Sequence, residues 1–236
     1  MRKLIIIPAF NEAGSLPTLI ANIKKLNEEY DYIIINDGSS DETKQLCLRE
    51  GYSVINLPIN SGIGVAVQTG YKYALENDYD IAIQIDGDGQ HDVEYLAVVI
   101  APLEKEKVDV VIGSRFITGE GFQSSGTRRL GIQILSSIIW MCTGVNIKDV
   151  TSGFRAVNKD FIRVFAEDYS KDYPEPEAIV TAKMYGGVIK EVPVVMKERE
   201  SGKSSITFKK SFYYMIKVTL AILVKRLSYG IRREKK

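Results

Sequence analysis

Short runs of apolar, mostly β-branched residues alternate with segments of helical periodicity through the first half of the chain. Five such runs predict strands, at residues 4–7, 32–35, 53–57, 81–85 and 108–112. Between them, apolar residues recur at helical spacing in residues 15–29, 64–75 and 93–103. Because this alternation is typical of βαβ crossovers, we predict an α/β fold whose mostly parallel sheet is flanked by helices.

The alternation stops after the fifth predicted strand. A polar, glycine-rich loop is predicted from Thr118 to Arg129, followed by a helix through residues 132–141. A loop of this length either closes over a bound ligand or is an ordinary surface insertion. Both interpretations are compatible with the sequence.

The C-terminal segment carries an apolar stripe at helical spacing and then a basic tail. The stripe consists of Phe212, Met215, Ile216, Thr219, Leu220, Leu223 and Val224. Lys217 interrupts it and Lys225 closes it after too few residues to span a bilayer. We therefore predict an amphipathic helix in the headgroup region of an anionic leaflet. Packing on the protein's own core, or docking onto a small integral membrane protein, are the alternatives.

Composition fits one globular domain with a C-terminal extension. The chain has 236 residues, of which 45% are apolar and 26% charged, and we place the domain at residues 1–207 and the extension at 208–236. Two cysteines give no disulfide framework, and the first apolar run is too short for a signal peptide. We expect a cytoplasmic protein, peripheral on the inner face of the cell membrane, with no nucleic-acid partner.

A pair of carboxylates follows the fourth predicted strand. Asp86 and Asp88 are separated by a flexible glycine, so their oxygens can converge on one hard divalent cation. A polar turn is the simpler alternative. The spacing does not fit an EF-hand, and His91 is the only histidine, which disfavours zinc. Oxygen ligands favour Mg²⁺ or Mn²⁺.

Three polar loops are expected at one edge of the predicted sheet. Residues 8–12, 36–41 and 86–90 each follow a strand, and the carboxyl ends of parallel strands meet at a common rim where ligands bind. Helix capping explains Ser40 and Asp41. It does not explain Asp37, whose position suits a carboxylate that accepts hydrogen bonds from a nucleotide base.

The ordered set of motifs in this chain resembles family 2 glycosyltransferases, in particular the dolichol-phosphate mannose synthase-like, polyprenyl-phosphate sugar synthases. The motifs are Pro8-Ala9-Phe10-Asn11-Glu12, Asn36 to Asp41, Asn60 to Gly64, Asp86 to Gln90, Gly113-Ser114-Arg115-Phe116 and Ser152-Gly153-Phe154-Arg155. The resemblance covers about residues 1–207. It implies a GT-A, Rossmann-like domain whose Asp-x-Asp motif holds a divalent cation.

The resemblance also assigns roles to individual residues. The nucleotide-sugar-binding residues it implies are Pro8, Phe10, Glu12, Asp37, Asp86, Gly87, Asp88, Gln90, Arg115, Arg199, Lys203 and Ser204. The metal set is Asp86, Asp88 and Gln90, and the catalytic residues are Asp88, Arg115 and Arg199. Phe10 stands where tyrosine is common in the family, and Gly89 where a larger residue is frequent.

The acceptor side of the site is expected to be cationic. A lipid phosphate is already anionic near neutral pH and needs little help from a general base. Candidate acceptor-side residues are Arg128, Arg129, Asp149, Arg155 and Glu177. Asp149 and Arg155 flank one turn, where they can either pair with each other to hold the acceptor wall or face the acceptor. Glu175 and Glu177 open a helix, where the dipole favours acids whatever their function, and one of them can still face the acceptor.

These observations favour a metal-dependent transferase that moves a hexose from a UDP- or GDP-hexose to an undecaprenyl or dolichyl phosphate, and the resemblance implies that the transfer inverts the anomeric centre. A second possibility is transfer to a glycan or glycolipid hydroxyl in cell-surface polysaccharide synthesis, with Glu175 or Glu177 as base. A third, of another class, is a non-catalytic nucleotide-sugar-binding subunit of a membrane partner. Turnover of any donor separates the third from the first two.

Overall fold

The computed structural model describes residues 1–26, 30–121, 123, 126–197 and 215–227. Seven strands form one sheet: β1 Lys3–Ala9, β2 Asp31–Asn36, β3 Val54–Asn56, β4 Ile81–Gln84, β5 Val110–Ser114, β6 Arg155–Asn158 and β7 Ile189–Pro193. Helices connect them: α1 Leu16–Lys24, α2 Thr43–Arg49, α3 Ile63–Glu76, α4 Leu96–Lys105, α5 Gly126–Thr143, α6 Lys159–Glu167 and α7 Pro174–Met184. A further helix, α8, covers residues 215–227.

The sheet order is β3-β2-β1-β4-β6-β5-β7. Every neighbouring pair is parallel except those of β6, which runs antiparallel to β4 and to β5. The predicted α/β fold with a mostly parallel sheet is therefore confirmed. The carboxyl ends of β1, β2 and β4 lie at one edge, followed by the loops that begin at Phe10, Asp37 and Ile85.

Both faces of the sheet are buried, which explains why the strands are continuous apolar runs. In β1, Leu4 and Ile6 belong to one hydrophobic cluster, packed with residues of α3, α5 and α6. Ile5 and Ile7 belong to a second cluster, packed with residues of α1 and α4. Alternate side chains point to opposite faces of a strand, so each face needs its own apolar set.

Several element boundaries differ from the sequence predictions. Helix α1 ends at Lys24, five residues earlier than predicted, and β5 begins at Val110 rather than Val108. A 3₁₀ turn over Val93–Tyr95, capped by Asp92, precedes α4. Helix α5 already begins at Gly126, so the expected long loop is shorter and its last residues form the first helical turn. The periodicity of apolar residues does not by itself predict where these helices and strands begin and end.

Helix α8 has two apolar sides. Val218 and Ile222 are fully buried in the cluster that also contains residues of α5 and α6. Its exposed apolar side chains are Ile216, Leu220, Leu223, Val224 and Leu227. The helix thus packs on the core and also exposes most of the predicted stripe. Within the described part of the chain, no helix has the length and hydropathy needed to cross a bilayer.

Candidate active site

The loops after β1 and β2 are locked together by Asn11. Its backbone N–H donates to Ser39 Oγ at 2.9 Å, and its side-chain Oδ1 accepts from the backbone N–H of Ser40 at 2.8 Å and of Asp41 at 3.3 Å. Asn11 has a φ of 60°, a left-handed conformation that asparagine tolerates better than most residues. This junction places Phe10, which is 45% exposed, and Glu12 on the rim of the sheet.

The third loop joins the same rim through Ser15. The Ser15 hydroxyl lies 2.7 Å from the carbonyl oxygen of Gly87 and 2.8 Å from Oε2 of Glu12, so its single proton is shared between the two acceptors. A β-carbon on Gly87 would stand 3.1 Å from the carbonyl oxygen of Pro8. Loops 8–12, 36–41 and 86–90 therefore meet at one crevice, as their positions after parallel strands predict.

Asp86 is held by the only histidine of the chain. The backbone N–H of Asp86 donates to Nδ1 of His91 at 2.9 Å, and Nε2 of the same ring lies 3.8 Å from Asp86 Oδ2. The ring is buried and stacks on Phe154, with 5.1 Å between ring centroids. From the sequence, His91 only disfavours zinc, and its spacing of five residues from Asp86 is the single sequence signal of this contact.

Asp88 and Gln90 complete the loop. Asp88 is buried, and its Oδ1 accepts from the backbone N–H of Gln90 at 3.0 Å. Gln90 is in turn joined to Lys197, whose backbone N–H donates to the Gln90 carbonyl at 2.9 Å. Gly89 between them has a φ of 77°, which favours glycine and accounts for the absence of a larger residue there.

The loop fits a hard divalent cation. The carboxylate of Asp86 is one-third exposed, and the α-carbon of Gly153 leaves it room: a β-carbon there would stand 2.8 Å from Oδ1. Asp86, Asp88 and Gln90 offer only oxygen donors to such an ion, and these are the ligands preferred by Mg²⁺ and Mn²⁺. No group of three His, Cys, Asp or Glu side chains that could hold a metal ion occurs in the described residues, so an ion bound here would need further ligands from substrate and water.

Asp37 is buried at the end of β2 and binds the start of α3. Its Oδ1 accepts from the backbone N–H of Ser61 at 2.7 Å and its Oδ2 from that of Gly62 at 2.9 Å. This arrangement satisfies backbone donors that helix geometry leaves without partners. Each carboxylate oxygen has a second lone pair, so a contact with a nucleotide base stays a prediction.

Of the two roles open for Asp149, pairing with Arg155 is not the one observed, because Asp149 pairs with Arg115. Nε of Arg115 lies 2.7 Å from Oδ2 of Asp149, and Nη2 lies 2.7 Å from Oδ1, in a bidentate pair of two buried side chains. The Arg115 guanidinium also donates to Thr151 Oγ1 at 3.2 Å. Sequence spacing could not show this partner, which lies 34 residues away.

Arg155 supports the backbone rather than a carboxylate. Its side chain is 1% exposed and donates to the carbonyl oxygens of Ser152, Val150 and Glu175 at 2.8, 3.1 and 2.6 Å. These bonds fix the turn that contains Gly153 and join it to the first turn of α7. Arg155 therefore orders the wall of the crevice and is poorly placed to reach an acceptor.

The two glutamates of α7 have different surroundings. Burial raises the pKa of Glu175 to about 7, with the positive charge of Arg155 opposing the rise and the negative charge of Asp86 adding to it. Burial also raises the pKa of Glu177, against a hydrogen bond from Ser170 and the charge of Lys225. Of the two, Glu175 is the one whose pKa the charge of Asp86 raises, although Glu177 is the one that the sequence predicts on the acceptor side.

The remaining predicted cations lie on α5 or outside the described residues. Arg128 and Arg129 are exposed in the first turn of α5, and the Arg129 guanidinium lies 5.5 Å from the centre of the Phe116 ring. The predicted phosphate-binding residues lie outside the part of the chain that the structure describes, which stops at Lys197 and resumes at residue 215. They are Arg199, Lys203 and Ser204. Their roles stay predictions.

The site and the fold agree with the chain's similarity to known proteins. The family described as glycosyl transferase family 2 matches residues 4–165, which include the crevice loops and the Arg115–Asp149 pair. The chain therefore belongs to glycosyl transferase family 2 and is a glycosyltransferase. The resemblance inferred from its motifs is confirmed.

Curated relatives are similar over most of their length. An undecaprenyl-phosphate mannosyltransferase of Micrococcus luteus is 31% identical over 216 residues, covering 88% of each chain. A UDP-N-acetylglucosamine–dolichyl-phosphate N-acetylglucosaminyltransferase of Methanococcus voltae is 34% identical over 212 residues, covering 80% of this chain and 83% of the relative. Both relatives are named for a polyprenyl-phosphate acceptor, but they differ in the sugar.

Solved structures share the fold at low sequence identity. Glucosyl-3-phosphoglycerate synthase from Mycobacterium tuberculosis, in complex with Mn²⁺, UDP-glucose and phosphoglyceric acid, aligns with a TM-score of 0.70. The alignment is 17% identical and covers 94% of this chain and 79% of that one. It confirms the GT-A fold.

Proposed function

We propose that this protein transfers a hexose from a nucleotide sugar to a polyprenyl phosphate, with inversion at the anomeric carbon, at the inner face of the cell membrane. The observation that carries the proposal is the similarity of this chain to enzymes of Methanococcus voltae and Micrococcus luteus that are named for polyprenyl-phosphate acceptors. In each comparison the similarity covers 80% or more of this chain and of the relative. The crevice formed by the loops after β1, β2 and β4 supplies the donor site.

The donor's nucleotide lies along loops 8–12 and 36–41 in this proposal. Phe10 offers an exposed ring, and Asp37 lies at the bottom of the same crevice. Asp86, Asp88 and Gln90 would hold a Mg²⁺ or Mn²⁺ ion, which would stabilise negative charge on the departing diphosphate. The identity of the base and of the sugar depends on pocket shape and is left open between UDP- and GDP-hexoses.

The guanidinium of Arg115, which we place beside the diphosphate, is oriented by Asp149. Both oxygens of Asp149 bind its guanidinium, and its Nη2 also reaches Thr151. A bidentate pair of this kind fixes the plane of the guanidinium, so any diphosphate contact would use donors whose direction is already set. The catalytic role of Arg115 therefore depends on Asp149 in this proposal.

Arg128 and Arg129 are the cations that we assign to the acceptor phosphate. Positive side chains in the first turn of a helix oppose the helix dipole, so helix stability does not account for them. An anion near that turn would interact favourably with both the guanidinium groups and the dipole. Arg155, the third cation expected there, is occupied by backbone carbonyls.

The lipid part of the acceptor is proposed to lie against α5 and α8. The two helices are neighbours, since a β-carbon on Gly131 would stand 3.3 Å from Met215 Sδ. Their exposed apolar residues are Leu130, Ile134, Trp140 and Met141 of α5 and Ile216, Leu220, Leu223, Val224 and Leu227 of α8. Exposed apolar residues on adjacent helices are expected where a protein lies on a membrane surface. Docking onto an integral membrane protein is not part of this proposal.

A hydroxyl acceptor is the second candidate, and Glu175 is the observation that favours it. A carboxyl group whose pKa burial raises to about 7 has the properties of a general base. Release of free nucleoside diphosphate, measured with polyprenyl phosphate and with matched polyprenol or glycan acceptors, separates the candidates. We expect release to depend on the lipid phosphate; release that depends only on hydroxyl acceptors would replace the proposal.

A further inference from the structure

The backbone and the side chain of Asp86 both face one imidazole ring. Nδ1 of His91 accepts the Asp86 N–H at 2.9 Å, and Nε2 lies 3.8 Å from Asp86 Oδ2. The first distance is that of a hydrogen bond, whereas the second permits only an electrostatic attraction. Because Nδ1 accepts a hydrogen bond, it carries no proton, and the neutral ring carries its proton on Nε2.

The ring itself is fixed from two further directions. It is 4% exposed and stacks on Phe154 at an interplanar angle of 26°. On its backbone side, His91 forms an isolated antiparallel bridge with Met196. Phe154 directly follows Gly153, whose α-carbon lies against the Asp86 carboxylate. Asp86 therefore lies between two supports that belong to the same packed unit.

We propose that His91 is a positioning residue, which sets the orientation of Asp86 for metal binding through its Nδ1. This inference rests on the proposed metal-dependent function and deepens it. His91 itself contributes no donor to the ion in this arrangement, since one nitrogen is occupied by the Asp86 N–H and the other carries the proton. Groups that orient a metal ligand without touching the metal affect affinity strongly.

Two substitutions separate positioning from packing. In His91→Asn the amide oxygen occupies the place of Nδ1 and can still accept the Asp86 N–H. In His91→Gln the amide lies where Nε2 was, and that N–H loses its acceptor. Both remove the ring and its stacking on Phe154, so a purely structural role predicts equal effects of the two substitutions.

Mn²⁺ alone is the probe, and its free concentration is followed by electron paramagnetic resonance in a titration of the full chain. We expect His91→Gln to weaken Mn²⁺ binding by about tenfold or more, and His91→Asn to cause a clearly smaller loss at a similar melting temperature. Equal affinities of the two variants, whether both wild-type or both reduced, overturn the positioning role. A wild-type protein that binds no Mn²⁺ also overturns the inference, whereas the metal dependence of the proposed function is tested separately, by the loss of transfer in EDTA and its return with added metal.

Nuclear magnetic resonance provides a test that does not depend on the folding of any variant. His91 is the only histidine, so tag-free ¹⁵N-labelled protein gives one pair of imidazole nitrogen signals. In the neutral ring, we expect an unprotonated Nδ1 and a protonated Nε2. The opposite tautomer would mean that Nδ1 does not accept the Asp86 N–H, and would overturn the inference.

Discussion

Gly153 lies directly against the carboxylate of Asp86, so that a β-carbon at position 153 would stand 2.8 Å from Oδ1 and 3.0 Å from Oδ2. Two motifs that are 67 residues apart in the sequence thus meet in the crevice. The turn that contains Gly153 is fixed by three carbonyl contacts of the buried Arg155. The shape of the loop at residues 86–90, where we propose the metal site, therefore depends on the segment that precedes β6.

Gly153→Ala is expected to displace the Asp86 carboxylate and to lower transfer by at least about tenfold, because metal ligands tolerate little misplacement. Gly126→Ala is the matched control, since a β-carbon there meets nothing within 4 Å. Initial rates and melting temperatures of both variants are compared. Wild-type rates for Gly153→Ala would show that the contact has no functional effect.

Asp88→Asn is expected to reduce transfer about a hundredfold or more while the fold is retained. The amide oxygen can still accept the Gln90 N–H, so the hydrogen bond that shapes the loop persists and mainly the charge is lost. Wild-type activity should vanish with EDTA and return with added Mg²⁺ or Mn²⁺. Full activity of wild-type protein in EDTA, or of Asp88→Asn, would contradict the metal mechanism.

Asp149→Ala is expected to lower the free energy of unfolding by about 3–5 kcal/mol, because it leaves the Arg115 charge buried without its partner. Arg115→Ala and the double variant complete a cycle in which the two losses should not add. Urea unfolding measures all four proteins. Additive losses would mean that the bidentate pair contributes no coupling energy.

Glu175 should make stability depend on pH. Its pKa is raised from 4.5 to about 7, so the folded protein binds a proton that the unfolded chain has released. The resulting stabilisation is complete below about pH 4.5, declines as pH rises and is lost above about pH 7, and it amounts to on the order of 3 kcal/mol. Glu175→Gln should remove this decline, as measured by urea unfolding across that pH range.

The same variant reports on the acceptor. With a lipid phosphate acceptor, Glu175→Gln should keep most of its activity, because the acceptor needs no general base. A loss of about a hundredfold or more, with stability retained, would favour the hydroxyl acceptor instead.

Leu220→Glu with Leu223→Glu should reduce binding to anionic liposomes without a loss of thermal stability, since both side chains are exposed on α8. Leu48→Glu is the control, because it changes an exposed leucine of α2 instead. Sedimentation with liposomes measures binding. Equal sedimentation of the double variant and the control would remove the proposed membrane surface.

The basic residues of α8 contribute less to such binding than the sequence suggests. Lys225 Nζ lies 3.1 Å from Asp168 Oδ1, and Lys217 Nζ lies 3.2 Å from Asp172 Oδ2. These two cations face acids of the protein itself.

The predicted division of the chain at residue 207 stays a prediction, although the buried residues of α8 belong to the same hydrophobic cluster as α5 and α6.

Local sequence patterns were sufficient to predict the class of fold and the position of the crevice. Apolar runs predicted strands β1 to β5, and parallel strands place their following loops at a common edge. Strands β6 and β7 were missed. Strand β6 has only four residues, begins at the last residue of the Ser152-Gly153-Phe154-Arg155 motif, and pairs antiparallel with β4 and β5, from which it is distant in sequence.

The partners of the site residues could not be predicted for a related reason. The contacts of Arg115 with Asp149, of Asp86 with Gly153 and of Ser15 with Gly87 each join distant segments. The raised pKa of Glu175 likewise arises from burial, which a single sequence does not report.

The most direct measurement of the central claim is transfer of labelled sugar to a lipid phosphate. The full chain is incubated with Mn²⁺, undecaprenyl phosphate and, in turn, radiolabelled UDP-glucose, UDP-N-acetylglucosamine and GDP-mannose, and the organic phase is counted. If the protein is a polyprenyl-phosphate glycosyltransferase, label from at least one donor enters the organic phase only when the lipid phosphate is present. No extractable label from any donor, or equal labelling with undecaprenol in its place, would contradict it.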